Sequence, residues 1–220
     1  NQIKPELSVK GEGVFPNEKF NQLVKLYRYN PIKYYKAERH IMKELEAGLP
    51  TALHYHSVAK TKDVVLSVER LALAEGVTDE GLFLLKTAAL YHNAGFLGEY
   101  FKNKETGARL ADEFLPRNGY TPRHIKIIKE LIFVIKNPHG PTTKLEEVIC
   151  DANLNYLGRN EFHLISNKLR KELNEQGEGW SEKKWDELQV LLLKNHRYFT
   201  KTAKKNHNKK KAQNLQEVLW

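Results

Sequence analysis

The stretch "GLFLLKTAALYHNAGF", residues 81–96, is apolar almost all round a helix until it reaches His92 and Asn93. A helix with apolar residues on every side is typical of the buried centre of a helical protein. Gly95 follows this pair after Ala94, and glycine commonly stands just after a helix. His92 and Asn93 are therefore either an ordinary polar helix end or the remnant of a metal site.

Helical patterns lie on both sides of this central stretch. Upstream, apolar residues recur at three- and four-residue spacing, and Thr78 is the expected N-cap of the central helix. We see no alternating runs bounded by hairpin turns and no internal repeat. We therefore predict an all-α fold. The expected helices run from Ile32 to Gly48, from about Ser57 to Glu75, from Thr121–Pro122 to a stop before Pro138, from the Thr143–Glu146 capping box through Leu154, over roughly 160–174, and from Ser181 through Leu192.

The chain divides into three predicted parts. Residues 1–31 form a lead-in interrupted by prolines and glycines, residues 32–200 a helical domain, and residues 201–220 a basic helical tail. The chain does not begin with methionine, so we expect a trimmed chain or a piece of a longer one.

Composition favours a protein of the cytoplasm without a membrane partner. Of the 220 residues, 40% are hydrophobic and 29% charged, and the mean hydropathy is −0.61. No apolar segment approaches the roughly 20 residues of a membrane helix, and the first residues lack the apolar stretch of a signal peptide. Cys150 is the only cysteine, which excludes an internal disulfide and a zinc site of several thiolates.

The formal net charge of +9 is concentrated in the tail. A contact with nucleic acid or with a protein is one interpretation, and a solvated helix face is the other. The chain carries no nucleic-acid-binding motif beside these lysines. The cluster consists of Lys201, Lys204, Lys205, Lys209, Lys210 and Lys211.

Four polar spots interrupt the apolar helices. Taken singly, each is explained by capping or by local hydrogen bonds to the backbone. They become informative through their order along the chain. The spots are His54 with His56 and Lys60, the His92–Asn93 pair, Asp151 with Asn153 and Asn155, and Lys136 where a helix breaks.

Three motifs carry these spots: "YHSVAKTKDVV" at 55–65, "ALYHNAGF" at 89–96 and "CDANLNYLG" at 150–158. With them the chain resembles the HD-domain superfamily of metal-dependent phosphohydrolases, in particular a bacterial subgroup with "YHSxxHTxDVV", "ALYHDAGF" and "CDADLDYLG". The resemblance covers about residues 33–200. It implies a helical bundle that holds a metal through a histidine, a His–Asp pair and a distant aspartate. It also implies a possible junction with a nucleotide cyclase domain, which "IKPELS" and "PNEKF" would mark.

The departures from that pattern fall on the implied metal ligands. Lys60 stands where the resemblance implies a histidine, and Asn93 and Asn153 stand where it implies aspartates. Asn155 replaces a neighbouring aspartate, and only His92 keeps a ligand type. His56 is retained at the position that the resemblance associates with a proton donor.

The replaced residues are poor ligands for a divalent cation. An amide oxygen is neutral, and an ammonium group has no lone pair to donate. We therefore expect no cofactor and no catalytic activity. Two carboxylates with a divalent ion sum to about zero charge, whereas two amides with one ammonium sum to about +1. A phosphorylated ligand such as a nucleotide could then bind through Lys60, His56 and His92, with Lys136 and Arg159 adjacent.

Other interpretations of the same residues stay open. The pocket could have collapsed, with Lys60 extended to solvent and the amides capping helices. The chain could also be an active phosphohydrolase holding Mn, Fe, Zn or Mg through a displaced ligand set. The spare donors for such a set are His54, His56, Asp63, His92 and Asp151. An interaction module that binds through the basic tail is a third possibility.

Overall fold

The computed structural model describes residues 31–77, 79–135 and 140–219, and this part of the chain contains no strand. The predicted all-α class is confirmed for these residues. The predicted lead-in up to residue 30, the Thr78 N-cap and Lys136 lie outside them. The helices of the described ranges are α1 Pro31–Gly48, α2 Val58–Ala74, α3 Asp79–Ala94, α4 Asn103–Phe114, α5 Pro122–Val134, α6 Lys144–Asn153, α7 Phe162–Glu175, α8 Glu182–Asn195 and α9 Lys201–Leu219.

Helix α3 is the central helix that the opening stretch predicts. It packs against α1, α2, α4, α5 and α6. Tyr91 and Asn93 are fully buried near its end, and a short 3₁₀ turn at Gly95–Leu97 follows. Because its neighbours surround it, the polar pair at its end faces other helices.

Helix boundaries follow the capping residues where these are strong. Ser57 caps α2, Thr121 caps α5, and Thr143 forms the expected capping box with Glu146 at the start of α6. Helix α6 ends at Asn153 and not at Leu154, and Asn155 belongs to a 3₁₀ turn that extends to Gly158. Asn153 is therefore the last residue of a helix, whereas Asn155 lies in the turn that follows it.

Helix α4 is missing from the sequence-based prediction. Its buried face consists of small residues, including Gly107, Ala108 and Ala111, which give a weak hydrophobic signal. A Cβ atom at Gly107 would lie 2.8 Å from the carbonyl oxygen of Tyr91. The absence of a side chain therefore allows α4 to approach α3 closely.

Helix α9 packs against α8 and against the 3₁₀ turn at Asn155–Gly158. The main hydrophobic core surrounds α3, and α9 covers a second, separate hydrophobic cluster, to which Leu215 and Val218 contribute. Asn214 is fully buried and its Nδ2 donates to the carbonyls of Leu157, at 2.9 Å, and Arg159, at 3.0 Å. The buried members of the cluster are Tyr55, Tyr156, Leu157, Phe162 and Leu193, and Leu154, Ile165, Leu169 and Leu192 pack against them.

Substituting Gly158 by alanine is expected to displace α9. The added Cβ would lie 2.4 Å from the Cβ of His207 and 2.6 Å from its carbonyl oxygen, so backbone must move. We expect a loss of about 2 kcal/mol in the free energy of unfolding, measured by urea titration. Gly48→Ala is the control, because its Cβ would meet only the side-chain end of Leu97, at 2.8 Å. Equal losses in the two variants would contradict the close contact at Gly158.

Candidate functional site

Three of the motif residues come together where three helices meet. Lys60 lies in the first turn of α2, Asn93 near the end of α3 and Asn153 at the end of α6. The Nζ atom of Lys60 donates to the main-chain oxygen of Asn153 at 2.6 Å. Asn93 Nδ2 donates to Thr61 Oγ1 at 2.9 Å and to the carbonyl of Ser57 at 3.2 Å. Residues far apart in sequence thus share one small region.

Lys60 is buried, with 8% of its surface exposed. Its ammonium group lies 5.2 Å from the ring centroid of Tyr55 and 5.5 Å from that of Tyr156. It forms no ion pair within the described ranges, because the nearby Asp63 bonds to Arg159 Nη1 at 2.7 Å. Burial lowers the pKa of Lys60 to about 8; Asp63 opposes this fall and the cation of Arg159 adds to it. The interpretation in which Lys60 extends to solvent is wrong.

Asn93 and His92 differ in their surroundings. Asn93 is fully buried, and its Oδ1 has no hydrogen-bond partner among the residues that the structure describes. His92 is partly buried, and its Nδ1 donates to the carbonyl of Ala89 at 2.5 Å within the same helix. The Oδ1 of Asn93 is a neutral oxygen, so it is a weak ligand for a cation.

This donor set does not fit the divalent metal that the family resemblance implies. The positions of its carboxylates hold the amides of Asn93 and Asn153, and Lys60 brings a cation. No three side chains of histidine, cysteine, aspartate or glutamate converge as a metal site in the part of the chain described here.

The spare donors for a displaced ligand set lie in separate contacts. His54 Nε2 bonds to Glu175 at 2.8 Å, and Asp63 pairs with Arg159. Asp151 is fully buried and accepts from the backbone N–H groups of Phe199, at 2.9 Å, and Thr200, at 2.8 Å. Burial raises the pKa of Asp151, although these hydrogen bonds oppose the rise. Asp151 thus holds the start of α9.

His56 is held by Glu172, a residue that the sequence analysis does not identify. The carboxylate of Glu172 is fully buried and bonds to Nδ1 of His56. It also accepts from the backbone N–H groups of Tyr55, at 2.8 Å, and His56, at 2.9 Å, and from the hydroxyl of Tyr100, at 2.8 Å. Burial opposes the charge of Glu172, but the hydrogen bonds and the charge of His56 hold its pKa below the usual value.

The sequence does contain a signal for Glu172. Phe162, Ile165 and Leu169 recur at helical spacing and contribute to the second hydrophobic cluster. Glu172 occupies the next position on that face, where an apolar residue is expected. A carboxylate on the apolar face of a helix indicates a buried partner, which here is the loop that carries His56.

The predicted site residues line two clefts. His56, His92 and Asn153 line the first, which we call the histidine cleft, with a volume of about 40 Å³. That volume holds a few water molecules, so a nucleotide does not fit inside it. Its apolar walls are Phe96, Ile132 and Ile135.

Lys60 and Arg159 line the second cleft, which we call the lysine cleft, with a volume of about 200 Å³. Lys168 adds a third cation, against the carboxylate of Asp63 in the lining and that of Glu161, which pairs with Arg159 Nε at 3.4 Å. Tyr55 lines both clefts and separates them. Sequence reasoning missed three residues of this cleft: Lys168 lies outside every motif, and Tyr55 and Tyr156 lie inside motifs but are of a type that suggests only packing.

The lysines of the predicted basic tail lie on α9. Four of them are exposed, whereas Lys210 pairs with Glu217 at 3.0 Å and Lys211 Nζ donates to the carbonyl of His196 at 2.5 Å. Contact of this face with nucleic acid or protein stays a prediction. Removing residues 201–220 would uncover the second hydrophobic cluster, so neutralising the exposed lysines is the better test. These are Lys201, Lys204, Lys205 and Lys209.

Among the described residues, no helix combines the length and the apolar character that crossing a membrane requires.

Comparison of the chain with protein-family models, with curated proteins and with solved structures finds no match of any kind.

Proposed function

We propose that the chain is an HD-domain-like protein with a degenerate metal site. In this proposal it is catalytically inactive and binds a phosphorylated small molecule, such as a nucleotide, for sensing or regulation. With its single cysteine, we expect it in the cytoplasm. The order of the three motifs, the bond from Lys60 to Asn153 and the bond from Asn93 to Thr61 support the family assignment.

The buried ammonium group of Lys60 is the observation that carries the binding function. A buried cation is costly unless an anion accompanies it. Lys60 has only a carbonyl as its hydrogen-bond partner within the described ranges, since Arg159 holds Asp63. A phosphate group at Lys60 would supply the missing negative charge.

The lysine cleft offers further contacts for such a ligand. Arg159 and Lys168 bring two more cations to the cleft, and guanidinium groups bind phosphate oxygens well. Tyr55 and Tyr156 present aromatic surface beside them, on which a planar ring can stack. The cleft therefore suits a small phosphorylated molecule with a planar part, and a divalent metal is not required.

Binding is expected to be independent of divalent metal. For each of the three compounds pyrophosphate, AMP and ATP, calorimetry should give a dissociation constant that EDTA does not change. Affinity should fall as salt is added, because the contacts are between charges. Failure of all three compounds to bind would contradict the proposal. Binding that EDTA abolishes, with stoichiometric Mn, Fe, Zn or Mg in the purified protein, would favour the displaced ligand set.

A further inference from the structure

The amine of Lys60 is placed where it can act as a nucleophile. It is buried at the wall of the lysine cleft and carries no ion pair within the described ranges. Removal from water and a neighbouring cation both favour the neutral amine over the ammonium. The neutral amine has a lone pair, which an ammonium group lacks.

The arrangement of Asp63 and Arg159 strengthens this tendency. Asp63 lies one helical turn after Lys60 on α2 and would be the natural counter-ion. Its two carboxylate oxygens instead accept from Arg159 Nη1, at 2.7 and 3.0 Å. Lys60 is left with Asn153 O and the two tyrosine rings. These partners attract the ammonium group, but one carbonyl and two ring faces replace only part of the hydrogen bonds that water gives it.

The cleft also fixes which electrophile can reach the amine. Arg159 and Lys168 select an anionic group, and the rings of Tyr55 and Tyr156 select a flat, partly apolar body. A molecule that meets these conditions and carries a carbonyl group next to its flat part would bring that carbonyl to Lys60.

We propose that Lys60 forms an imine with an anionic aldehyde or ketone bound in the lysine cleft. The inference deepens the proposed function, since it rests on the same anion-binding cleft, and it adds a covalent step to binding. A regulatory module of this kind would respond to a carbonyl compound and not to phosphate alone.

The step balances without an oxidant or a reductant. The nitrogen lone pair attacks the carbonyl carbon, a C–N bond forms, and the electron pair of the C=O π bond moves to oxygen. A proton passes from nitrogen to that oxygen and gives a carbinolamine. Loss of the hydroxyl group with a second proton releases water and forms the C=N bond. Hydrolysis reverses every step.

The probe that tests the proposal is pyridoxal 5′-phosphate, a flat aldehyde with a phosphate group. It is mixed in equimolar amount with the full chain, reduced with borohydride and located by peptide mass mapping. We expect one label per chain, on Lys60, formed at least tenfold faster than any label on Lys62, an exposed lysine of the same helix. Lys60→Met should abolish the label and Lys62→Met should leave it unchanged. A label spread over exposed lysines, or no label, would overturn the proposal.

Two relatives of the probe separate this inference from the proposed function. Pyridoxine 5′-phosphate keeps the phosphate but has no aldehyde, and pyridoxal keeps the aldehyde but has no phosphate. Reversible binding of pyridoxine 5′-phosphate without any imine from the aldehyde overturns the inference and leaves the anion site standing. Equal labelling of Lys60 by both aldehydes supports the nucleophile and contradicts phosphate recognition.

Discussion

Replacing Lys60 by methionine is expected to stabilise the protein and to weaken the proposed binding of phosphorylated ligands. The fall in pKa from 10.5 to about 8 means that burying this cation costs up to about 3 kcal/mol at neutral pH. Loss of the hydrogen bond to Asn153 O removes about 1 kcal/mol. The free energy of unfolding at pH 7 should therefore rise by about 2 kcal/mol, measured by urea titration, while calorimetry shows at least a tenfold weaker affinity.

The gain in stability should depend on pH. Because the pKa of Lys60 is lower in the fold than in the unfolded chain, the native protein loses its proton first, and its stability rises with pH from about 8 to 10.5. Burial raises the pKa of Tyr55 and Tyr156, the latter to about 12, so neither ring ionises in that window. Although burial opposes the rise, the hydrogen bonds and charges of Asp63 and Glu161 raise the pKa of Arg159, so its guanidinium also stays charged. The difference in free energy of unfolding between the Lys60→Met variant and the parent should therefore shrink from about pH 8 to 10.5.

Lys62→Met is the matched control on the same helix. Lys62 is exposed and lies outside both clefts, so neither stability nor binding should change by a measurable amount. A Lys60→Met variant that is less stable than the parent at pH 7 would show that the ammonium group is well solvated in the fold. Retained binding would remove Lys60 from the site.

Truncating Glu172 to alanine is expected to cause a large loss of stability. The change leaves Nδ1 of His56, two backbone N–H groups and the hydroxyl of Tyr100 without their acceptor. Breaking a buried, hydrogen-bonded charge pair costs about 3–5 kcal/mol. The unfolding midpoint in urea should fall accordingly.

Glu175→Ala separates this effect from the loss of a charge on α7. Glu175 lies one turn later and pairs with the partly exposed His54 at 2.8 Å, an interaction worth at most about 1 kcal/mol.

Because the pKa of Glu172 is lowered in the fold, its contribution to the free energy of unfolding is present above pH 4.5 and is lost as the pH falls below that value. A similar cost for the two variants would show that water already solvates Glu172.

Strong local signals made most of the fold predictable. Ser57, Thr121 and Thr143 mark helix starts by capping chemistry, and the apolar run of α3 indicates burial from its composition alone. Helix α4 was not predicted, because the glycine and alanine residues of its buried face give only a weak hydrophobic pattern. Close packing between helices depends on their shapes, which a search for large apolar residues does not detect.

The candidate site was predictable only in part. The motifs single out Lys60, Asn93 and Asn153, because their chemistry differs from that of metal ligands. Which of them share a cleft depends on the position of Tyr55, a residue whose type suggests only packing. Glu172 comes from a helix more than a hundred residues later in the chain, so its pairing with His56 follows from tertiary structure.

The manner in which α9 is held has a consequence for synthesis of the chain. Asp151 binds the backbone just before this helix, and Glu75 accepts from the N–H of Thr202 at 2.7 Å. Asn214, farther along α9, fixes the carbonyl of Arg159, a residue of the lysine cleft. The ribosome must therefore have extruded the chain beyond residue 214 before the cleft takes its final shape. A nascent chain halted earlier would contain all three motifs and still lack the final shape of the lysine cleft.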